Sequence, residues 1–205
     1  EFFKQAAKHG DLYVRLGRDE NIWDLKQHKT MYNNAERLYM VKNIACVHDA
    51  ALSTGMGRYD FEADMDVVKP DIYFCNEDAS GMENRVAICE KKGIEMVVAP
   101  RDAAEGLEAR SSTSMKARLK EMVEQEPGEG KGEEEDGGEP KKKVLVSGCF
   151  DLLHSGHVEF FKQAAKHGDL YVRLGRDENI WDLKQHKTMY NNAERLYMVK
   201  NIACV

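Results

Sequence analysis

The chain has 205 residues, 42% hydrophobic and 32% charged, with a formal net charge of −6. That is the range of one globular domain or two small ones, and it excludes a collagen or a wholly disordered chain. No stretch of 18 consecutive apolar residues occurs, and no basic start leads into an apolar core with a small-residue cleavage site, so neither membrane insertion nor Sec-type export is expected and a cytoplasmic location is. The acid is concentrated, with eight acidic residues against the single Lys131 between positions 124 and 140. The rest is close to neutral and lacks the broad basic face a nucleic-acid backbone requires, so no nucleic-acid partner is expected. Cys46, Cys75, Cys89, Cys149 and Cys204 lack the CxxC spacing of zinc or redox sites and are expected to be ordinary buried thiols in a reducing compartment.

In chain order the first feature is a repeat: residues 1–47 recur without one change as residues 159–205, an offset of 158. A segment of 47 residues is too short to bury a stable core alone. Each copy offers a helix ending at a glycine, a strand (Leu170 to Leu174 in the second copy), a loop, and a second helix around Ala193 to Ile202 with Leu196, Val199 and Ile202 at helical spacing. A strand near Val47 to Leu52 follows the first copy. Next come a strand at Asp71 to Cys75, a helix from Glu83 to Lys92 closed by Gly93, a strand at Ile94 to Val98, and a final helix from Thr113 to Val123. Residues 126–143, rich in Gly, Glu and Pro, are expected to be an acidic flexible linker. Beyond them Val144 to Ser147 is an apolar run ending in Gly148, suited to a buried parallel strand, and His157 to His167 is an amphipathic helix stopped by Gly168.

Read as a circle, residues 144–205 followed by 48–125 alternate strand and helix. The expected fold is α/β: a Rossmann-like parallel five-stranded sheet with helices on both faces, circularly permuted in this chain. Residues 144–205 supply its N-terminal half and 48–125 its C-terminal half. Only one complement, 48–125, exists for two copies, so one copy is expected to be surplus or swapped into a homodimer or larger oligomer. Using 159–205 keeps the turn after Gly148 continuous, which makes 1–47 the surplus copy. With Glu1 at the start, a fragment of a tandem polyprotein is the favoured origin, an engineered permutant the other.

The sharpest local signal is Gly148-Cys-Phe150-Asp151-Leu-Leu-His154-Ser-Gly156-His157, set between an apolar strand and an amphipathic helix. A strand turning sharply into a helix presents free backbone N–H groups and the positive end of the helix dipole, an anion site. Two histidines three residues apart, with a glycine that allows close backbone approach, can add hydrogen bonds to a phosphate there. Asp151 is the motif's carboxylate; it can serve the site or brace the turn.

This string resembles the GxFDxxHxGH signature of the cytidylyltransferase-like nucleotidyltransferases, which include glycerol-3-phosphate and choline-phosphate cytidylyltransferases. Arg110 with Ser112, Thr113 and Ser114 is similar to that family's closing IST[TS] motif, whose implied role is to bind nucleotide phosphates, while the same residues are also good helix N-caps. Lys184 and Arg195 look like the family's lysine loop and helix-starting ER pair, with Lys26 and Arg37 as their duplicates. Gln185 stands where the family commonly has glycine after that lysine. The resemblance implies that a substrate phosphate attacks the α-phosphorus of CTP, with ATP the alternative, releasing pyrophosphate. It implies His154, His157, Lys184 and Arg195 as catalytic, Gly148, Phe150, Asp151 and Gly156 as further phosphate-site residues, and Mg²⁺ as cofactor on the triphosphate. The acceptor class is a small phosphorylated alcohol or sugar. A catalytically silent nucleotide-binding module of a repeat protein is the rival reading.

Overall fold

The computed structural model describes residues 1–108, Met115, Arg118, 142–184 and 187–205, the side chains of 182–184 excepted. It divides into two units, residues 1–102 and 103–205. In the first, the order is α1 (Phe2–Ala6), β1 (Tyr13–Leu16), α2 (Asp19–Lys26), α3 (Asn34–Lys42), β2 (Asp49–Leu52), α4 (Glu62–Val68), β3 (Ile72–Asn76), α5 (Met82–Lys92) and β4 (Glu95–Ala99). In the second, it is β5 (Lys142–Gly148), α6 (Ser155–Ala165), β6 (Gly168–Leu174), α7 (Asp177–Lys184) and α8 (Asn192–Lys200).

The α/β character with parallel strands is as the alternation dictates. The pairing departs from a single five-stranded sheet: the described strands form three parallel pairs, β1 with β2, β3 with β4, and β5 with β6. Local connection explains this. Residues 1–47 run directly into β2, and Tyr13 pairs with Asp49 through to Leu16 with Leu52. The second copy instead pairs with the strand just before it, Lys142 with Gly168 through to Gly148 with Leu174. Residues 1–47, expected to be surplus, pair with β2 through β1. β5 also begins at Lys142, inside the stretch expected to be linker.

Local chemistry sets most element ends. α3 and α8 each start with a capping box: the Asn33 and Asn191 side chains accept from Glu36 N and Glu194 N at 3.0 Å, and the two glutamates accept in return. α5 ends at Gly93, whose φ of 66° is left-handed. α2 and α7 fall where a loop was expected. Trp23 and Leu25 are each 48% exposed, so the helix lacks a buried stripe; acidic Asp19 and Glu20 in its first turn and Lys26 in its last suit the helix dipole instead. In the second unit α6 packs on β5 and β6, burying Val158, Phe161 and Ala164, while α8 covers β6 with Val199. In the first, Ala50, Met65, Cys75, Cys89 and Ala99 are buried.

Candidate functional site

β5 ends at Gly148 and the chain turns sharply into α6. Two non-glycine residues of this turn, Phe150 and Leu152, both have a φ of 49°, in the left-handed region. The Phe150 ring is buried against Gly148: a Cβ on that glycine would lie 2.8 Å from the ring, so only glycine leaves room. Phe150 also meets His157 edge-on, centroids 5.5 Å apart, and Phe161 at 4.8 Å. The turn is thus pinned from inside by one aromatic ring.

His154 is the N-cap of α6, its Nδ1 accepting from Gly156 N at 3.1 Å. Because that nitrogen accepts, the neutral ring carries its proton on Nε2, which is then a donor. The His154 and His157 rings stack with centroids 3.8 Å apart. Burial first, then the neighbouring His154, lowers the His157 pKa from 6.5 to about 4, with Asp151 opposing. His157 is neutral at physiological pH, and its Nδ1 is buried without a hydrogen-bond partner among the described residues. An orphaned buried nitrogen of this kind is a polar atom that a bound ligand can satisfy.

Asp151 takes the bracing role. Its carboxylate accepts from the backbone N–H of Met189 at 2.6 Å and of Tyr190 at 3.0 Å, joining the turn to the loop before α8. Arg195 lies wholly inside, 0% exposed. It donates to the carbonyls of Cys149 (2.6 Å), Gly175 (2.8 Å) and Tyr190 (3.2 Å), to Asp177 at 2.6 Å and to Asn192 at 2.9 Å. That guanidinium is spent on the protein's own acceptors, so Arg195 acts here as a positioning residue, where the resemblance implies a catalytic one. Burial pushes the Asp177 carboxyl up, but bonds from Arg195, Asn192 and Thr188 outweigh it and hold the pKa below the ordinary value. Asp177, Thr188 and Cys149 support the site and were missed as candidates, since their parts are played by two short side chains and by backbone.

The structure gathers Gly148, Phe150, Asp151, Gly156, His154, His157 and Arg195 around this turn. Arg110, Ser112, Thr113, Ser114 and the side chain of Lys184 lie outside the described residues. Arg118, at a helical position, donates to the Thr188 carbonyl at 3.4 Å, which brings one residue of the expected last helix to the loop before α8. In the other copy Lys26 is exposed at the end of α2. Gln27 after it takes the left-handed conformation (φ 52°) that the glycine of the family pattern would favour, its N–H bonded to Trp23 O at 2.8 Å. Arg37 reaches Gly17 O at 2.8 Å and Asp19 at 2.7 Å. Among the described residues no group of three His, Cys, Asp or Glu assembles that would hold a metal ion, and no helix is long and apolar enough to cross a membrane.

Comparison with known proteins agrees with the motif. Residues 145–205 match the family described as cytidylyltransferase-like. Over 67 residues the chain is 40% identical to the bifunctional protein HldE of Hydrogenovibrio crunogenus, covering 32% of this chain and 14% of that protein. Over 65 residues it is 38% identical to an FAD synthase of Methanocella arvoryzae, covering 31% and 45%. The chain thus spans less than half the length of these curated relatives. A solved structure, the lipopolysaccharide core biosynthesis protein of Thermoplasma volcanium, aligns at 23% identity and a TM-score of 0.41 over 48% of this chain and 80% of its own. The family match is thus confined to residues 145–205, the part of the chain that carries the histidine string.

Proposed function

We propose that the turn between β5 and α6 binds the phosphates of a nucleoside triphosphate and serves nucleotidyl transfer to a small phosphorylated alcohol or sugar. The carrying observation is the stacked pair of imidazoles at the start of α6, one with a free Nε2 donor and the other neutral with an orphaned Nδ1. An oxygen of the acceptor phosphate attacks the α-phosphorus, a new P–O bond forms, the bond to the bridging oxygen of the β-phosphate breaks, and pyrophosphate leaves. No protein nucleophile is required. The chain's part is to orient the phosphates and donate hydrogen bonds to oxygens that gain charge, which His154, His157 and the α6 start are placed to do. Lys184 and the segment from Arg110 to Ser114 are the proposed remaining phosphate contacts.

Mg²⁺ accompanies the triphosphate in this reading. The Asp151 carboxylate, the motif's own candidate, already accepts two backbone N–H groups. The described residues therefore offer no ligand set for the ion, and no step is assigned to a protein-held magnesium.

CTP is the proposed donor. ATP is the second reading, favoured by the FAD synthase relatives, whose named product contains adenine. Pyrophosphate release with CTP and ATP in parallel, across a panel of phosphate esters, tests both. Release with one nucleotide that His157→Ala abolishes supports the proposal. Thermal stabilisation by a nucleotide without pyrophosphate release identifies a silent binding module, and neither signal removes the site.

A further inference from the structure

Residues 188–190, just before the cap of α8, are held from four directions. The Asp151 carboxylate takes the N–H groups of Met189 at 2.6 Å and Tyr190 at 3.0 Å. Arg195 Nε on α8 donates to the Tyr190 carbonyl at 3.2 Å, and the Thr188 hydroxyl donates to Asp177 on α7 at 3.0 Å. Arg118 donates to the Thr188 carbonyl at 3.4 Å. The histidine turn, α7, α8 and one residue of the expected last helix thus meet at three residues.

The same three residues recur as Thr30, Met31 and Tyr32, in the same local sequence but with no such carboxylate bonded to them among the described residues. Much of the network is unchanged there. Thr30 donates to Asp19 at 2.9 Å, and Arg37 reaches the Gly17 carbonyl at 2.8 Å and Asp19 at 2.7 Å, as Thr188 and Arg195 do with Asp177 and Gly175. The differences fall at residues 31 and 32. Met31 is 51% exposed whereas Met189 is 0% exposed. Buried Arg37 Nε has no partner among the described residues, whereas Arg195 Nε holds the Tyr190 carbonyl. The bonds at the helix ends therefore belong to the segment itself, and the seating of the loop does not. What the turn after β5 brings to that backbone is the Asp151 carboxylate, a charged acceptor for two successive N–H groups.

We propose that Asp151 is a positioning residue for nucleotidyl transfer: it seats residues 188–190 against the histidine turn and so fixes, relative to both imidazoles, the loop that follows Lys184 and the segment that carries Arg118. Those two segments hold the phosphate contacts proposed to complete the site. A contact made to the phosphates in ground state and transition state alike sets KM, while donors aimed at developing charge set kcat. Loss of Asp151 therefore acts mainly on nucleotide KM, because His154 and His157 keep their own supports in the helix cap and the Phe150 ring. The kinetic consequence rests on the function proposed above; the seating of the loop does not.

Amide hydrogen exchange on the full chain, read at single residues by NMR, tests the seating. In the wild type Met189 and Tyr190 are expected to exchange at least about tenfold more slowly than Met31 and Tyr32. Asp151→Ala is expected to bring both to the rates of their twins while β6 stays protected, and Asp151→Asn, which keeps one acceptor oxygen, to release one of them. If Asp151→Ala unfolds the second unit, the Asn variant decides. Pyrophosphate release then reads the consequence: Asp151→Asn should raise the nucleotide KM at least about tenfold, with kcat falling by less than the roughly 10²–10³ of a lost donor. Equal exchange of the twin pairs in the wild type overturns the proposal, as does full protection of Met189 and Tyr190 in the variants. A large loss of kcat with the loop still protected makes Asp151 a direct participant and overturns it too, and so does a loosened loop with KM unchanged. A wild type that releases no pyrophosphate removes the reaction proposed above, and exchange alone then decides the seating.

Discussion

Arg195 Nη1 donates to the Cys149 carbonyl across 2.6 Å, so one buried guanidinium in the first turn of α8 holds the turn that carries both histidines. Asp177 pairs with its charge at 2.6 Å. Arg195→Met leaves that carboxylate and three carbonyls without their donor. It is expected to destabilise the second unit by about 3–5 kcal/mol. The matching Arg37→Met change removes a partly exposed pair with Asp19, without a Cys149 counterpart, and is expected to cost about 1 kcal/mol. Denaturant unfolding of the two variants measures the asymmetry, and equal costs would show that the turn is not held through this side chain.

The stability of the second unit should fall in acid through one histidine. The pKa of His157 in the folded chain is about 4 against 6.5 when unfolded, so below 6.5 the unfolded chain takes up a proton that the folded chain refuses. Stability is then fully present above about pH 6.5, declines as the pH falls to about 4, and levels below it. His157→Gln removes this slope. An NMR titration of the His157 ring with a midpoint near 6.5 would contradict the burial from which the argument starts.

His154 has two separable duties, capping α6 through Nδ1 and donating through Nε2. His154→Ala loses both, with about 0.5–2 kcal/mol of stability going with the cap. His154→Asn keeps a capping oxygen and recovers most of that stability. Under the proposed function both variants lose on the order of 10²–10³ in transfer rate, the usual loss for one preorganised donor. Recovery of rate together with stability in the Asn variant would reduce His154 to a cap.

Gly10→Ala and Gly168→Ala make the same change at the same φ of 151°. Both meet the backbone strain of that conformation, but only at Gly168 does the new methyl strike the Lys142 backbone. Gly168→Ala is expected to cost at least about 1–3 kcal/mol more than Gly10→Ala, a typical overpacking penalty. Thermal melts of the two variants at low concentration give the difference.

The order of strands and helices and the whole β5 to α6 turn were legible because apolar runs, a glycine stop and the histidine string coincide there. What the string does not reveal is that Asp151 faces two backbone N–H groups from residues 38 and 39 positions away. The buried setting of Arg195 was hidden for the same reason: its acceptors are mostly carbonyls, which leave no mark in a sequence. The helices α2 and α7 escaped because their stability comes from end charges and from reciprocal bonds such as Asp19 with Asn34, at 2.8 Å each way, rather than from a buried stripe. Residues 1–47 run unbroken into β2 and pair with it through β1, a local pairing that weighing where a backbone break would fall did not anticipate.

The duplication makes the molecule its own control. Forty-seven residues are present twice with identical propensity, charge and side-chain volume, so any contrast in solvent access, proton affinity or backbone mobility between twins such as Met31 and Met189 reflects neighbours alone. Few natural chains separate the share of behaviour that a segment owns from the share its surroundings lend it.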